Sequence, residues 1–276
     1  MLEKALYNLL FALVSGFTEF LGVDASAHQK LFSLMSGQER SDPMLMLAVH
    51  VGVLLAVILA TWPKLRLVMR ERRHSGRKRR LKRQTDPTAQ LDLQVLRTAS
   101  VPMLLSLLAY RKADQLIHGF FPLALILLFN GLLLIYPSFV ESGNKDCRSV
   151  SRLDATLIGL AGALGAFPGI SRVGGMLTAA SARGLSRTYA LDTALLLSIP
   201  VLIGLIIWDL FAIMTDFALD GLLSLLVYIL CAAVAFGMGS LSIHFQKYLS
   251  YKLGISGFAY YSWGLALFSL IFYLMI

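Results

Sequence analysis

The chain has little with which to build a water-soluble surface or a cross-linked scaffold. Charged residues fill 15% of its 276 positions and hydrophobic residues 57%, a balance too apolar for a soluble globule of this size. Its two cysteines, Cys147 in a polar stretch and Cys231 within an apolar run, are too few for a disulfide framework or a cysteine metal set. Proline is scarce, with eight residues, and long apolar windows contain neither proline nor charge. The alternating ten-residue segments of an outer-membrane barrel are missing, so the spans are helical and the chain reads as an all-α integral membrane protein.

What charge there is lies unevenly. Eleven of the 25 Lys and Arg fall between Lys64 and Arg83, alongside the single acid Glu71. Such a run reads as a cytoplasmic loop facing anionic lipid headgroups, and no nucleic-acid partner is expected. The amino-terminal stretch, with Lys4 beside Glu3, runs directly into a polar motif and is read as part of the fold, not as a cleaved signal.

Residues 3–20 form an apolar helix too short to cross a core of roughly 30 Å with comfort. Gly22 interrupts it and a second short helix runs from about Asp24 to Ser36. A helix broken at membrane depth and returning is a re-entrant hairpin, allowed only where the broken backbone is buried in protein or lines a wet cavity. Glu19 and His28 would lie on opposite faces of one continuous helix turning about 100° per residue, so only a break lets both address one site. Asp24 or Ser26 could cap the second helix and leave its first amides free for an anion.

Spans follow at about 43–63, 91–110 and 118–139, then a polar loop at 141–154. A second short helix, 155–167, breaks at Pro168 and Gly169, and Ser171 opens another that ends near Arg183 and Arg187. Three further spans lie at about 190–213, 220–244 and 255–276. One hairpin followed by three crossings, twice, predicts six transmembrane helices plus two re-entrant helical hairpins in an inverted-topology repeat. The whole chain, 1–276, is then one integral membrane domain. Repeat 1 covers about 1–140 with its hairpin at 3–37, and repeat 2 about 154–276 with its hairpin at 155–188.

With the 64–83 loop cytoplasmic, Ser41, the Arg111–Gln115 turn, Asp209 and the Asp216–Asp220 turn fall outside. The 141–154 loop, Arg183, Arg187 and the Lys247–Lys252 turn fall inside. Gly and Ala faces would permit a homodimer.

Ionisable side chains inside a bilayer are expensive and mark functional sites by default. Glu19, Asp24, His28 and Arg172 stand at the two breaks. The alternative for Glu19 and Arg172 is a structural ion pair tying the hairpins together. FPGISRVGG, 167–175, combines a Pro-Gly turn, a hydroxyl at the expected N-cap and an arginine in the first turn, which is a competent oxyanion site. Arg172, Ser171 and Gly169 are its candidate phosphate ligands. A carboxylate, a histidine, hydroxyls and an arginine together suggest phosphoryl chemistry on a lipid-borne phosphate, with His28 as acid, base or nucleophile. Glu19 would orient the histidine or hold a divalent ion. His50, His118 and His244 are lone imidazoles read as packing or interface residues, Trp62, Trp208 and Trp263 as interfacial belt residues, and Asn130 as a possible cavity lining.

The pair of motifs has a counterpart. GFTEFLGVDASAH resembles EGxTEFLPVSSTGH, and FPGISRVGG resembles PGxSRSGAT, the two signatures of the bacterial undecaprenyl-diphosphate phosphatases of the BacA/UppP type. The resemblance extends over the whole chain in length, order of spans and position of the basic loop. It implies a multi-pass protein of the bacterial inner (cytoplasmic) membrane that hydrolyses undecaprenyl diphosphate to the monophosphate. That reaction recycles the carrier lipid for peptidoglycan and other cell-wall polymers and is linked to bacitracin resistance.

By residue, the match supports Glu19, His28, Ser171 and Arg172, with Gly16, Thr18 and Gly169 as structural members; the candidate catalytic residues are then Glu19, Ser26, His28 and Arg172, with Arg172, Ser171 and Gly169 as candidate phosphate ligands. A divalent cation, Mg or Ca, would be held by Glu19 with Asp24. The chain also departs from the signatures. Ser15 replaces the first glutamate, Gly22 the proline and Asp24-Ala25 the Ser-Ser pair, while Val173, Gly175 and Met176 replace serine, alanine and threonine. Asp24 is the acid that could compensate for the lost one. The alternative reading is a non-hydrolytic polyprenyl-phosphate binder or translocase on the same fold.

Overall fold

Helices dominate because nearly every long segment is apolar and self-satisfied in its backbone hydrogen bonds, the condition lipid imposes. The computed structural model describes residues 2–37, 42–75, 87–215, 222–252 and 254–275. In them run α1 (Leu2–Thr18), α2 (Ala25–Ser36), α3 (Pro43–Ser75), α4 (Pro87–Leu116) and α5 (Phe120–Ile135). After them come α6 (Arg152–Ala163), α7 (Arg172–Ala182), α8 (Arg187–Thr215), α9 (Leu222–Lys252) and α10 (Gly257–Met275). Six of these, α3, α4, α5, α8, α9 and α10, are long and apolar enough to cross a membrane. The protein is an all-α, multi-pass membrane protein.

The order is two helices too short to span followed by three spans, repeated, α5 reaching spanning length with the 3-10 turn Tyr136–Phe139 that continues it. Short pairs form where the sequence supplies both a stop and a restart. α1 ends as the Thr18 hydroxyl bonds back to the Val14 carbonyl, and Asp24 restarts the chain as the N-cap of α2. α6 opens on a capping box between Ser151 and Asp154, tightens into a 3-10 turn at Leu164–Ala166, and the chain restarts at Ser171, the N-cap of α7. Between them Gly169 sits at φ +108, a conformation that L side chains rarely adopt.

Contacts between helices come in corresponding pairs. α1 lies on α9 as α6 lies on α4; α3 lies on α9 as α8 lies on α4; α3 meets α8 and α5 meets α10. Gly52 shows how close the approach is, since a Cβ there would stand 2.3 Å from the Ala232 carbonyl oxygen of α9. Outward faces carry Leu108, Leu132, Ile229 and Leu274 in the open, as lipid-facing helices do.

Two expectations require correction. The basic run from Lys64 does not begin a loop: α3 continues through Pro63 to Ser75. A proline removes one backbone bond, and the Lys, Arg, Leu and Met residues that follow are good helix formers. Lys64, Arg66, Arg70, Arg72 and Arg73 therefore ride on a helix, while 76–83 lie outside the described residues, as do Ser41 and the Asp216–Asp220 turn. The Arg111–Gln115 and Lys247–Lys252 turns are likewise the last turns of α4 and α9.

Near the start of α6, Asp154 accepts from Arg183 Nε at 2.5 Å and from Lys145 Nζ at 3.3 Å. Burial by itself would raise its pKa, but hydrogen bonds from Arg183, Ser151 and Lys145 outweigh that and hold the carboxyl well below the usual carboxylate range. Lys145 also exchanges backbone bonds with Gly184 and Ser186. The polar 141–154 stretch is thus fastened to the end of the second short pair.

Candidate active site

The two breaks meet. Glu19 and Arg172, 153 residues apart in sequence, come together with Oε1 and Nη1 at 3.2 Å and side chains 9% and 14% exposed. They form the ion pair between the short helical pairs that the sequence allowed, and they line one cavity with Val23, Asp24, Ala25, Ser26, Gln29, His50, Tyr110 and Gly165. A single N–H···O contact leaves the other guanidinium donors of Arg172 for a phosphate, which an arginine fork suits.

Asp24 is the centre of the arrangement. One of its carboxylate oxygens, Oδ2, accepts from the amide of Ala27 at 2.7 Å, from the amide of Gly169 at 2.7 Å, and from the hydroxyl of Ser26. The sequence predicts that the first amides of α2 are open to an anion. The chain's own carboxylate takes one of them, that of Ala27, and another of its bonds reaches across to the other break.

Ser171 does the reverse. Its hydroxyl donates to the Leu21 carbonyl at 3.0 Å and accepts from the Gly174 amide at 3.0 Å, while its amide donates to Asn130 Oδ1 at 2.9 Å. Asn130 in turn donates to Ser262 of α10 at 3.1 Å. Ser171 is therefore a cap and a tie, with both functions of its hydroxyl in use.

His28 stands apart from the cavity. Its Nδ1 is 2.7 Å from the Asp24 carbonyl and its Nε2 is 2.8 Å from the Tyr261 hydroxyl. Tyr261 belongs to a second space, an apolar cleft of about 620 Å³ between α1, α9 and α10, lined by Phe17, Leu21, Val23, Phe245, Phe258 and Tyr261 among others. Val23 borders both cavity and cleft.

Sequence reasoning misses a pair at the edge of the cavity, of which His50 is a lining residue. His50 Nδ1 lies 2.6 Å from Asp209 Oδ2, with side chains 5% and 14% exposed. In the sequence His50 reads as a packing or interface residue and Asp209 as an acid on the outer side; the structure adds that α3 and α8 cross where the two residues face each other. Each is a lone polar residue in an apolar run, and a lone intramembrane ionisable group is the available signal.

Of the two residues expected to hold a divalent ion, Glu19 pairs one oxygen with Arg172, and one oxygen of Asp24 takes three donors.

A family model described as bacitracin resistance protein BacA matches residues 8–268 of the chain. The chain belongs to the BacA family. Within it, similar proteins include the undecaprenyl-diphosphatase of Ruegeria pomeroyi, 30% identical over 257 residues, covering 90% of this chain and 94% of that one. The undecaprenyl-diphosphatase of Carboxydothermus hydrogenoformans is 26% identical over 256 residues, 92% of each chain. That of Roseobacter denitrificans is 31% identical over 198 residues, 71% of this chain and 72% of its own.

Proposed function

We propose that this BacA-family chain hydrolyses undecaprenyl or a related polyprenyl diphosphate to the monophosphate and phosphate, in the bacterial inner membrane. The observation that carries this reading is the junction at Val23, where a buried charged cavity holding Arg172 opens beside an apolar cleft. A lipid diphosphate needs both: a guanidinium for its charged head and a lipid-like trough for its tail. The relatives' names agree with that substrate class.

The matched helix contacts, α1 on α9 with α6 on α4 and α3 on α9 with α8 on α4, support a single domain made of two repeats of inverted topology. In this reading α1–α2 and α6–α7 are re-entrant hairpins meeting near the midplane. The basic end of α3 and its continuation face the cytoplasm and anionic headgroups. Exposed apolar faces leave room for a homodimer. A divalent ion would serve as a counter-ion arriving with the diphosphate.

A second reading, binding without hydrolysis, is favoured by one observation. Position 25 is alanine, and the Ser26 hydroxyl donates to Asp24, so neither presents a free hydroxyl nucleophile. Phosphate release from undecaprenyl diphosphate by the purified protein in detergent, with and without Mg or Ca, decides between them. The first reading expects release that Arg172→Ala lowers at least about a hundredfold. Saturable lipid binding with no release above that variant would overturn it in favour of the second.

A further inference from the structure

We infer that His50, oriented by Asp209, is the general base of the cavity and activates a water for direct attack on the terminal phosphorus of the lipid diphosphate. The inference deepens the hydrolytic reading and rests on it. It begins by elimination among the cavity groups. Ala25 has no hydroxyl, and Ser26 donates its own to Asp24. One Asp24 oxygen takes three donors. Glu19 is held by Arg172. His28 has both ring nitrogens engaged, by the Asp24 carbonyl and by Tyr261.

His50 differs from all of these. Asp209 engages Nδ1 at 2.6 Å, and Nε2 is the nitrogen left for the cavity that His50 lines. A carboxylate on Nδ1 fixes the tautomer and the ring plane and stabilises the imidazolium once Nε2 takes a proton. The pair is assembled by two long helices, α3 and α8, so it sits on rigid elements and not on the broken segments.

The step balances without a further reactant. Water oxygen forms the new bond to the terminal phosphorus as a proton passes to His50 Nε2. The bridging P–O bond breaks and its electron pair leaves with the lipid monophosphate. The imidazolium then returns its proton to the released phosphate or to water. Arg172 faces the same space and offsets charge on the phosphoryl oxygens. The titratable and charged groups around His50 are Glu19 and Asp24 from the first break, Tyr110 from α4, Arg172 from α7 and Asp209 from α8; α9 contributes none to the cavity.

The test compares wild type, His50→Gln and Asp209→Asn in detergent, each checked for an unchanged elution volume and unfolding temperature. Initial rates of phosphate release from undecaprenyl diphosphate are followed from about pH 5 to 9, the range that brackets an imidazole. His50→Gln should lower kcat by about 10²-fold or more, with KM within about threefold, and should abolish the fall in rate on the acid side. Asp209→Asn should move that acid limb to lower pH, because the imidazolium loses its carboxylate, a change that a purely structural pair would not produce. An active wild type with a His50→Gln variant within about twofold of it and an unaltered pH profile would overturn this assignment alone. A wild type that releases no phosphate would overturn the hydrolytic reading and the assignment together. Should His50→Gln aggregate, the pH profile of Asp209→Asn decides: an unmoved limb overturns the assignment.

Discussion

The two breaks solve one problem with opposite chemistry. Each restarts a helix on a polar N-cap, Asp24 for α2 and Ser171 for α7, and each cap bonds the peptide lying just before the other cap. Asp24, which can only accept as a carboxylate, takes the amide of Gly169; Ser171, which can also donate, gives to the carbonyl of Leu21. The peptides correspond in position, 21–22 and 168–169, yet one supplies oxygen and the other N–H. A cap's hydrogen-bond character therefore dictates which side of the opposing peptide must face it. The same contrast lets the charged cap gather three donors on one oxygen, from Ser26, Ala27 and Gly169, and in the proposed reading these compete with a phosphate.

Exchanging the caps breaks the comparison most severely. Ser171→Asp would set a buried carboxylate against the Leu21 carbonyl with one donor lost, and should cost about 3–5 kcal/mol, the range for an uncompensated buried charge. Reversible unfolding in detergent measures this, and a loss below about 1 kcal/mol would show that the two caps are interchangeable. Asp24→Ala comes next, at about 2–3 kcal/mol, because it strands the amides of Ala27 and Gly169. Asp24→Ser sharpens the contrast from the side of function: with the carboxylate gone and a cap retained, phosphate release should rise about tenfold, or about 1.4 kcal/mol of barrier. A lower rate would mean that the Asp24 charge assists turnover.

Much of this is legible in the chain because it is local. Capping by Asp24 and Ser171 and the Pro-Gly turn follow from short motifs with known backbone demands, and the pairing of Glu19 with Arg172, 153 residues apart, is open in the sequence only as an alternative because both charges stand at breaks. Six long spans follow from apolar length alone. The use to which the caps are put is hidden, since a carboxylate that caps and a carboxylate that fills an anion site look alike in one dimension. His50 and Asp209, 159 residues apart, carry no local pattern, and only the crossing of α3 with α8 brings them together. α3 overruns its expected end because one proline weighs less than the run of good helix formers around it.

Away from the breaks, Asp154 offers a milder test of the same contrast between charged and neutral partners. Its folded pKa lies well below the unfolded carboxylate value of about 3.9, so its stabilisation is fully present above that value and is lost only as pH falls towards the depressed one. Asp154→Asn should therefore cost about 1–2 kcal/mol near neutrality and leave the pH dependence of stability unchanged between about pH 5 and 8. A loss that grew with rising pH across that window would contradict a carboxyl held ionised by Arg183 and Lys145. Lys145→Ala, whose side chain is 38% exposed, should cost at most about 0.5 kcal/mol.

The seat of α1 on α9 also has a consequence in time. α1 ends at Thr18 and α9 begins at Leu222, so at about 5–20 residues per second a ribosome completes the first helix some 10–40 seconds before its main neighbour exists. For about the first three quarters of that interval the Glu19 break lacks its arginine, since Arg172 precedes Leu222 by 50 residues, and for all of it the break lacks its cover. The insertion machinery, or lipid itself, must shelter a half-finished site, and the membrane acquires a closed cavity only when the second half of the message has been read.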